Sequence, residues 1–506
     1  MTTGLKVDSS WIGCNQTRGQ PDDVYGLINP GFPPYDHQKR AVNEAVHNMM
    51  SHGFHALFME MGTGKTKVAI DSWMVMVAKG LSGALLVVCP KSLMSTWVDE
   101  ELPKHLAINA MVGKWDGKTT GKGQREFDLL LQSASAIVYV VNVEAFQTMN
   151  ETLRARLSGI LRGRKVMMVV DESSTIKGAD AKRSKSIKAA GQLAALRLIL
   201  TGTEISKSPL DLYMQFEFLK PGFWGTRSFF MFKQKYAILE DAYGPGGRTF
   251  KKIVGYQKVT ELVDSIAPYT TRALKKDCMD LPEKIRVTIK VEMTMPQTKV
   301  YQELKKYMAT ILESGEVMTI QNKLSLFAKF RQITGGTLRD REQIVVIEPN
   351  PGKLAALLAD VEDTDEQAIV WCAFRGEVDL VSKALSKYGE VVTFDGSTDI
   401  DERDESKLAF QEGRKRFFVA NMKAGAYGLN LQNCHLQYFY SRDLSPQANW
   451  QAEDRSHRPG QKSPCVYKAL VCSGTVDERV EELISKSADL RDMLRDMSVP
   501  DMISMV

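Results

Sequence analysis

The sequence has little that would mark a secreted, metal-stapled or membrane-embedded chain. Its seven cysteines, Cys14, Cys89, Cys278, Cys372, Cys434, Cys465 and Cys472, include no CxxC pair and are odd in number. That spacing excludes a zinc knuckle and a disulfide framework and leaves packed, reduced thiols as the expectation. The seven histidines show no metal-ligand spacing either. No apolar run approaches the roughly 18 residues of a membrane helix, since Trp73–Cys89 is broken by Lys79, Gly80, Ser82 and Gly83. The N-terminus, MTTGLKVDSS, lacks the basic-then-apolar layout of a signal peptide. No repeat of 20–50 residues and no low-complexity tract occurs. Charge of one sign is also scarce: Lys and Arg total 66 against 61 Asp and Glu, a net charge of +5. A nucleic-acid surface must therefore be a local patch. These absences predict an intracellular, cytoplasmic protein with no membrane partner.

What is present is an ordinary globular composition, 43% hydrophobic and 25% charged. At about 150 residues per domain, the 506 residues make about three compact units or two large ones with insertions. Short apolar runs recur at His55–Met59, Ala84–Cys89, Ala136–Val143, Val166–Val170 and Arg197–Leu200. A second series follows at Ala368–Phe374, Val391–Phe394, Arg416–Ala420, Leu436–Ser441 and Val466–Val471. Runs so rich in Val, Ile and Leu predict strands buried on both faces, and their alternation with helical patterns predicts parallel sheets. Two series imply two α/β lobes. Between them, residues 221–350 are helical and charged. The turn-rich Tyr243–Arg248, followed by Phe250–Val254, predicts a basic hairpin with Arg248, Lys251 and Lys252.

Met59-Glu60-Met61-Gly62-Thr63-Gly64-Lys65-Thr66 follows the first strand and opens a helix. Gly62, Thr63 and Gly64 let backbone N–H groups wrap phosphates, Lys65 reaches the β- and γ-phosphates, and the Thr66 hydroxyl ligates magnesium. Met59 stands where the usual pattern has its first glycine. Such a loop needs an acid at the end of a neighbouring strand. Val166–Val170 leads into Asp171-Glu172-Ser173-Ser174, where Asp171 would hold the metal and Glu172 would orient and deprotonate the attacking water. An apolar strand followed by two acids can also be a plain strand end; the loop beside it favours the catalytic reading. In the second lobe, Gln451, Arg455 and Arg458 are spaced by four and three, which predicts one helix face presenting two guanidinium groups to phosphate. Read by itself, that segment is better taken as a solvated face with local ion pairs to Glu453 or Asp454.

Together these segments resemble the Swi/Snf-type ATPases of helicase superfamily two. QAEDRSHRPGQ resembles motif VI, MGTGKT motif I, DESS motif II, and Leu200–Ile205 motif III. Leu86–Leu93 with Trp97 resembles motif Ia, and Tyr35-Asp36-His37-Gln38 the Q motif. Phe394–Thr398 and Lys423–Leu431 resemble second-lobe motifs up to motif V. The order matches the family's from about residue 34 to 478. Ser174, Glu204 and Ala426 stand where relatives usually have histidine, proline and glycine, and none removes a phosphate or metal ligand.

The resemblance implies an α/β fold of two RecA-like parallel-sheet lobes with helical insertions. Its expected layout is an N-terminal segment 1–30, lobe one at 31–275 with an insertion near 221–270, lobe two at 276–485 with an insertion near 295–345, and a tail at 486–506. It implies ATP and Mg2+ as cofactors, Gln38 at the adenine, Gln451, Arg455 and Arg458 at the phosphates, and DNA as partner, duplex or branched. It places Lys91, Ser92, Gly396, Ser397, Lys423 and Ala424 on the nucleic-acid backbone, hence sequence-independent, salt-sensitive binding. The family's mostly monomeric members and the lack of coiled-coil heptads suggest a monomeric motor, and compactness suggests one of a bacterial cell or a virus-infected host rather than a chromatin remodeller. The expected function is an ATPase translocating on double-stranded DNA. A strand-separating or branch-migrating helicase is the alternative, and a non-catalytic nucleic-acid-binding module is disfavoured by the intact Lys65, Thr66, Asp171, Glu172, Arg455 and Arg458.

Overall fold

The structure, a computed structural model, describes residues 23–115, 121–133, 135–202, 208–226, 228–243, 249–313, 320–340, 343–395, 400–422 and 429–486. The chain divides into two compact units, Met1–Met279 and Asp280–Val506.

In the first unit, β1 (Phe54–Met59), β2 (Ala84–Cys89), β3 (Ala110–Trp115), β4 (Ala136–Asn142), β5 (Val166–Val170), β6 (Leu196–Thr201) and β9 (Thr270–Ala273) form one 7-stranded sheet. Its order is β3-β4-β2-β5-β6-β1-β9, and every pairing is parallel. The central strands β1, β2 and β5 are buried along their whole length, as a sheet covered on both faces requires. One layer of core, with Phe58, Leu86, Val170 and Phe216, lies on one face. A second, with Leu57, Val87, Val169 and Trp73, lies on the other. A helix at Asp36–His52 (α1) and another at Lys65–Ala78 (α2) belong to the second layer.

The inserted segment near 221–270 is mixed rather than helical: the helix Phe229–Tyr236, an antiparallel ribbon of β7 (Ala237–Tyr243) and β8 (Thr249–Tyr256), and the helix Val259–Ile266. The expected hairpin forms, but its charge is balanced. Lys251 pairs with Asp241 at 2.9 Å, and Lys252 lies opposite Glu240. The turn with Arg248 lies outside the described residues.

In the second unit, β10 (Lys284–Val291), β13 (Ala368–Cys372), β14 (Val391–Phe394), β15 (Phe417–Asn421), β16 (Leu436–Phe439) and β17 (Cys465–Cys472) form a 6-stranded sheet. Its order is β10-β17-β16-β13-β15-β14, again parallel throughout. Helices Met295–Glu313 and Ile320–Thr334 and a small hairpin, β11 (Thr337–Asp340) with β12 (Gln343–Val346), intervene between β10 and β13. Each apolar run read from the sequence becomes a strand to within two residues. The strands that sequence reasoning left out are edge or peripheral ones, β3, β9, β10 and the β11–β12 hairpin.

Candidate nucleotide site and its neighbours

Parallel strands bring their carboxyl ends to one edge, which is where such sheets bind ligands. In the first unit that edge carries the loop after β1, the turn Lys91–Leu93 after β2, Asp171 and Glu172 after β5, and Gly202 after β6. Gly62 and Gly64 adopt left-handed backbone (φ 83° and 87°), and Gly64 caps the N-terminus of α2. The first N–H groups of a helix have no partner within the helix itself, so this end of α2 is a ready site for phosphate. Lys65 Nζ donates to Met59 O at 2.8 Å and to Glu60 O at 3.2 Å, so its ammonium lies back over the loop. Gly202 passes close by: a Cβ there would meet Met61 Cγ at 3.0 Å and Lys65 Nζ at 3.4 Å.

Gln38 is buried against this loop. Its Oε1 accepts from Tyr35 N, and its Nε2 donates to Thr63 O at 3.1 Å. His37 Nε2 also lies 2.8 Å from Thr63 O, a contact that sequence reasoning missed although His37 adjoins Gln38 in the same motif. Here the glutamine holds the phosphate loop by its backbone, with its amide nitrogen turned to Thr63.

Asp171 is only 6% exposed. Its Oδ1 accepts from Glu172 N at 2.9 Å and its Oδ2 from Trp97 Nε1 at 2.8 Å. Burial raises the Asp171 carboxyl above the usual carboxylate range, against the lowering effect of the Trp97 indole and of Lys65. A dry carboxylate beside a phosphate loop, with a threonine hydroxyl at Thr66, is an oxygen donor set that fits a hard divalent cation bound with nucleotide. Glu172, also buried, takes left-handed backbone at φ 47°, one of two non-glycine residues among the described ones to do so. Such strain concentrates at functional sites. Ser173 Oγ donates to Gln215 Oε1 at 2.6 Å, and Gln215 Nε2 bonds Asp211 O, so the helix Leu212–Leu219 braces the acidic turn. No sequence motif pointed to Gln215.

Lys91 and Ser92 are exposed after β2, and the Lys91 amide donates to Glu144 Oε2 at 3.3 Å. Of the basic run after Asp171, Lys177 pairs with Asp211, Lys185 with Asp180, and Lys188 with Glu217. Gly396, Ser397, Lys423 and Ala424 lie outside the described residues, as do Thr203, Glu204 and Ile205.

In the second unit, the expected single helix face is corrected. The helix Pro446–Glu453 carries Gln451 but ends before Arg455 and Arg458. Pro459 disfavours helical backbone at Arg458, but it does not reach the stop at Glu453. Arg455 is 2% exposed; its Nε donates to Gln451 O at 2.9 Å and its Nη1 to Leu429 O at 3.0 Å. It ties the segment after the helix to the chain at Leu429. Arg458 stays partly exposed, with Nε on Asp454 O at 2.9 Å. Glu453 is buried and paired with Arg286 at 2.6 Å and Lys284 at 3.7 Å, both on β10. His457 Nε2 bonds Pro282 O at 2.8 Å, a structural role.

A family model described as the SNF2-related domain matches residues 37–345, and one described as the helicase conserved C-terminal domain matches residues 351–460. A probable chromatin-remodeling complex ATPase chain of Oryza sativa subsp. japonica is 26% identical over 502 residues, covering 96% of this chain and 42% of its own. The putative ATP-dependent helicase/translocase YwqA of Bacillus subtilis (strain 168) is 24% identical, covering 92% of this chain and 49% of its own. The chain thus spans less than half the length of these curated relatives. A solved Sulfolobus solfataricus SWI2/SNF2 ATPase core in complex with dsDNA aligns over 94% of this chain and 95% of that one, at 21% identity and a TM-score of 0.42.

Proposed function

The chain belongs to the SNF2-related family of superfamily-two ATPases, and from that premise we propose that it is a DNA-stimulated ATPase that translocates on double-stranded DNA. The observation that carries the reading is the meeting of Lys65, Thr66, Asp171 and Glu172 at one carboxyl edge of the first unit's sheet, with Asp171 dry and doubly hydrogen-bonded.

ATP is the substrate. The loop at Gly62–Lys65 and the N-terminus of α2 bind its phosphates, and Lys65 leaves the loop carbonyls for the β- and γ-phosphoryl oxygens. A divalent metal, Mg2+ in this proposal, would be held by Thr66 and Asp171 and would supply positive charge to those oxygens. Glu172 takes the proton of the attacking water. Arg458, the more exposed arginine of the second unit, balances charge developing on the γ-phosphoryl group. Arg455 holds the segment that presents it, with Gln451 beside it. Lys91 and Ser92 meet the nucleic-acid backbone. The relatives named above are a probable chromatin-remodeling complex ATPase chain and a putative ATP-dependent helicase/translocase. Their likeness supports DNA as the partner here.

The test is ATP turnover across single-stranded DNA, duplex, forks, four-way junctions and RNA, with strand displacement from triplex and duplex. Duplex should stimulate more than an equal length of single strand, affinity should fall steeply with salt, and the third strand of a triplex should be displaced while a plain duplex stays annealed. Stimulation by single strands alone overturns duplex translocation. Efficient duplex unwinding promotes the helicase reading instead.

A further inference from the structure

The segment after β2 has one end at the surface and the other at the metal carboxylate. Lys91 and Ser92 are exposed. Trp97, six residues beyond Lys91, is 1% exposed, and its indole N–H is the donor to Asp171 Oδ2. Helical backbone runs without a break from Lys91 to His105 and widens into a π-helical turn over Thr96–Glu101, where Leu102 N bonds Trp97 O. Single wide turns of this kind inside a helix are frequent at functional sites. The same strand reaches Asp171 by a second route, because Asp171 N donates to Val88 O at 2.8 Å.

Core packing explains why an aromatic ring occupies position 97: Trp97 sits among Met94, Leu102 and Trp73 in the apolar layer. It does not explain why the ring's one polar atom meets the acid after β5. A buried indole N–H needs an acceptor, and a backbone carbonyl would serve. Here the acceptor is the carboxylate itself, so any shift of the helical stretch at Lys91–Ser92 pulls on Asp171 through one short, charge-assisted bond.

We propose that Trp97 is a positioning residue that transmits nucleic-acid contact at Lys91 and Ser92 to the carboxylate of Asp171. The proposal rests on the reading above, in which those two residues touch DNA and Asp171 holds the metal. Partners that orient a ligating carboxylate typically change metal affinity by about 10–100-fold when removed. Coupling between two sites is typically about 5–150-fold.

The experiment uses the full chain with Trp97→Phe, and with 3-benzothienylalanine at position 97, which keeps the shape of the indole and replaces its N–H by sulfur. Manganese(II) binding in the presence of ADP is followed by electron paramagnetic resonance. Duplex affinity is measured without nucleotide, and turnover with and without duplex. The expected result is manganese(II) binding weakened by about tenfold, with duplex affinity unchanged and the ratio of stimulated to basal turnover reduced by about fivefold or more. If the phenylalanine variant does not fold, the isostere decides alone, because it leaves the core filled. Wild-type manganese(II) affinity in the isostere overturns the proposal. So does an unchanged stimulation ratio, whatever the metal affinity. A wild-type chain that binds no manganese(II) with ADP overturns the assignment of Asp171 itself, a separate failure visible before any variant is made.

Discussion

At the scale of single residues, the site makes two demands that can be checked separately. Glu172 is buried and held in left-handed backbone, so its carboxylate is placed by the turn and not by its own flexibility. Glu172→Gln keeps the shape and removes the base. Turnover should fall by about 10²–10⁴, the usual contribution of a positioned base, while ATP affinity measured by calorimetry stays near wild type. Turnover close to wild type would remove Glu172 from the mechanism. Gly64 makes a steric demand. A Cβ there would lie 2.1 Å from Gln38 Nε2, and its backbone sits at φ +87°. Gly64→Ala must therefore expel Gln38 from its bond to Thr63 O and strain the loop as well, at a cost of about 1–3 kcal/mol. Nucleotide binding should weaken by about 5- to 150-fold for that energy, and unchanged binding would show that Gln38 does not fix the loop. The glycines, lysine and acids of this site were all legible in the sequence, because their chemistry depends on residue type. Trp97 was visible only as part of motif Ia; its bond to Asp171, and Gln215 altogether, were not legible, since a buried indole or amide finds its partner only through the fold.

At the scale of elements, legibility followed burial. Central strands such as Leu85–Val88 and Val166–Val170 are apolar at every position because both faces are covered. Strand β10, KIRVTIKV, and β3, AMVGKW, lie at sheet edges, where largely exposed positions and interior lysines hide them among loops and helices. The same limit applies to spacing. Gln451, Arg455 and Arg458 have the separations of a helix face, yet the helix stops at Glu453, ahead of both arginines. The consequence is that the two arginines separate in role. Arg458→Ala should lose most turnover, by about 10³ or more if it balances transition-state charge, with thermal stability unchanged and ATP affinity only modestly reduced. Arg455→Ala strips two backbone carbonyls of a buried guanidinium, and should also lower the unfolding free energy of the second unit by about 2–4 kcal/mol. Equal stability loss in the two variants, read from urea titrations, would contradict this division.

At the scale of the whole molecule, the groups that the proposed mechanism uses are divided between the two compact units. Lys65, Thr66, Asp171 and Glu172 belong to Met1–Met279, and Gln451, Arg455 and Arg458 to Asp280–Val506. Each unit has a parallel sheet and core layers of its own, so each can be tested as a folded body. If the first unit alone held the full catalytic apparatus, cutting the chain after Met279 would leave hydrolysis intact. The proposed mechanism requires otherwise, because the first unit supplies phosphate contacts and the base but no arginine from the second. A fragment of residues 1–279 should therefore bind nucleotide weakly and turn over almost none, with or without duplex DNA. Its circular dichroism should show a cooperative thermal transition, which separates loss of chemistry from loss of fold. Adding residues 280–506 as a separate chain should restore little unless duplex is present, since a shared polymer raises the effective concentration of one unit at the other. Wild-type turnover by the 1–279 fragment would place the whole reaction in the first unit, and the arginines of the second would then need another role.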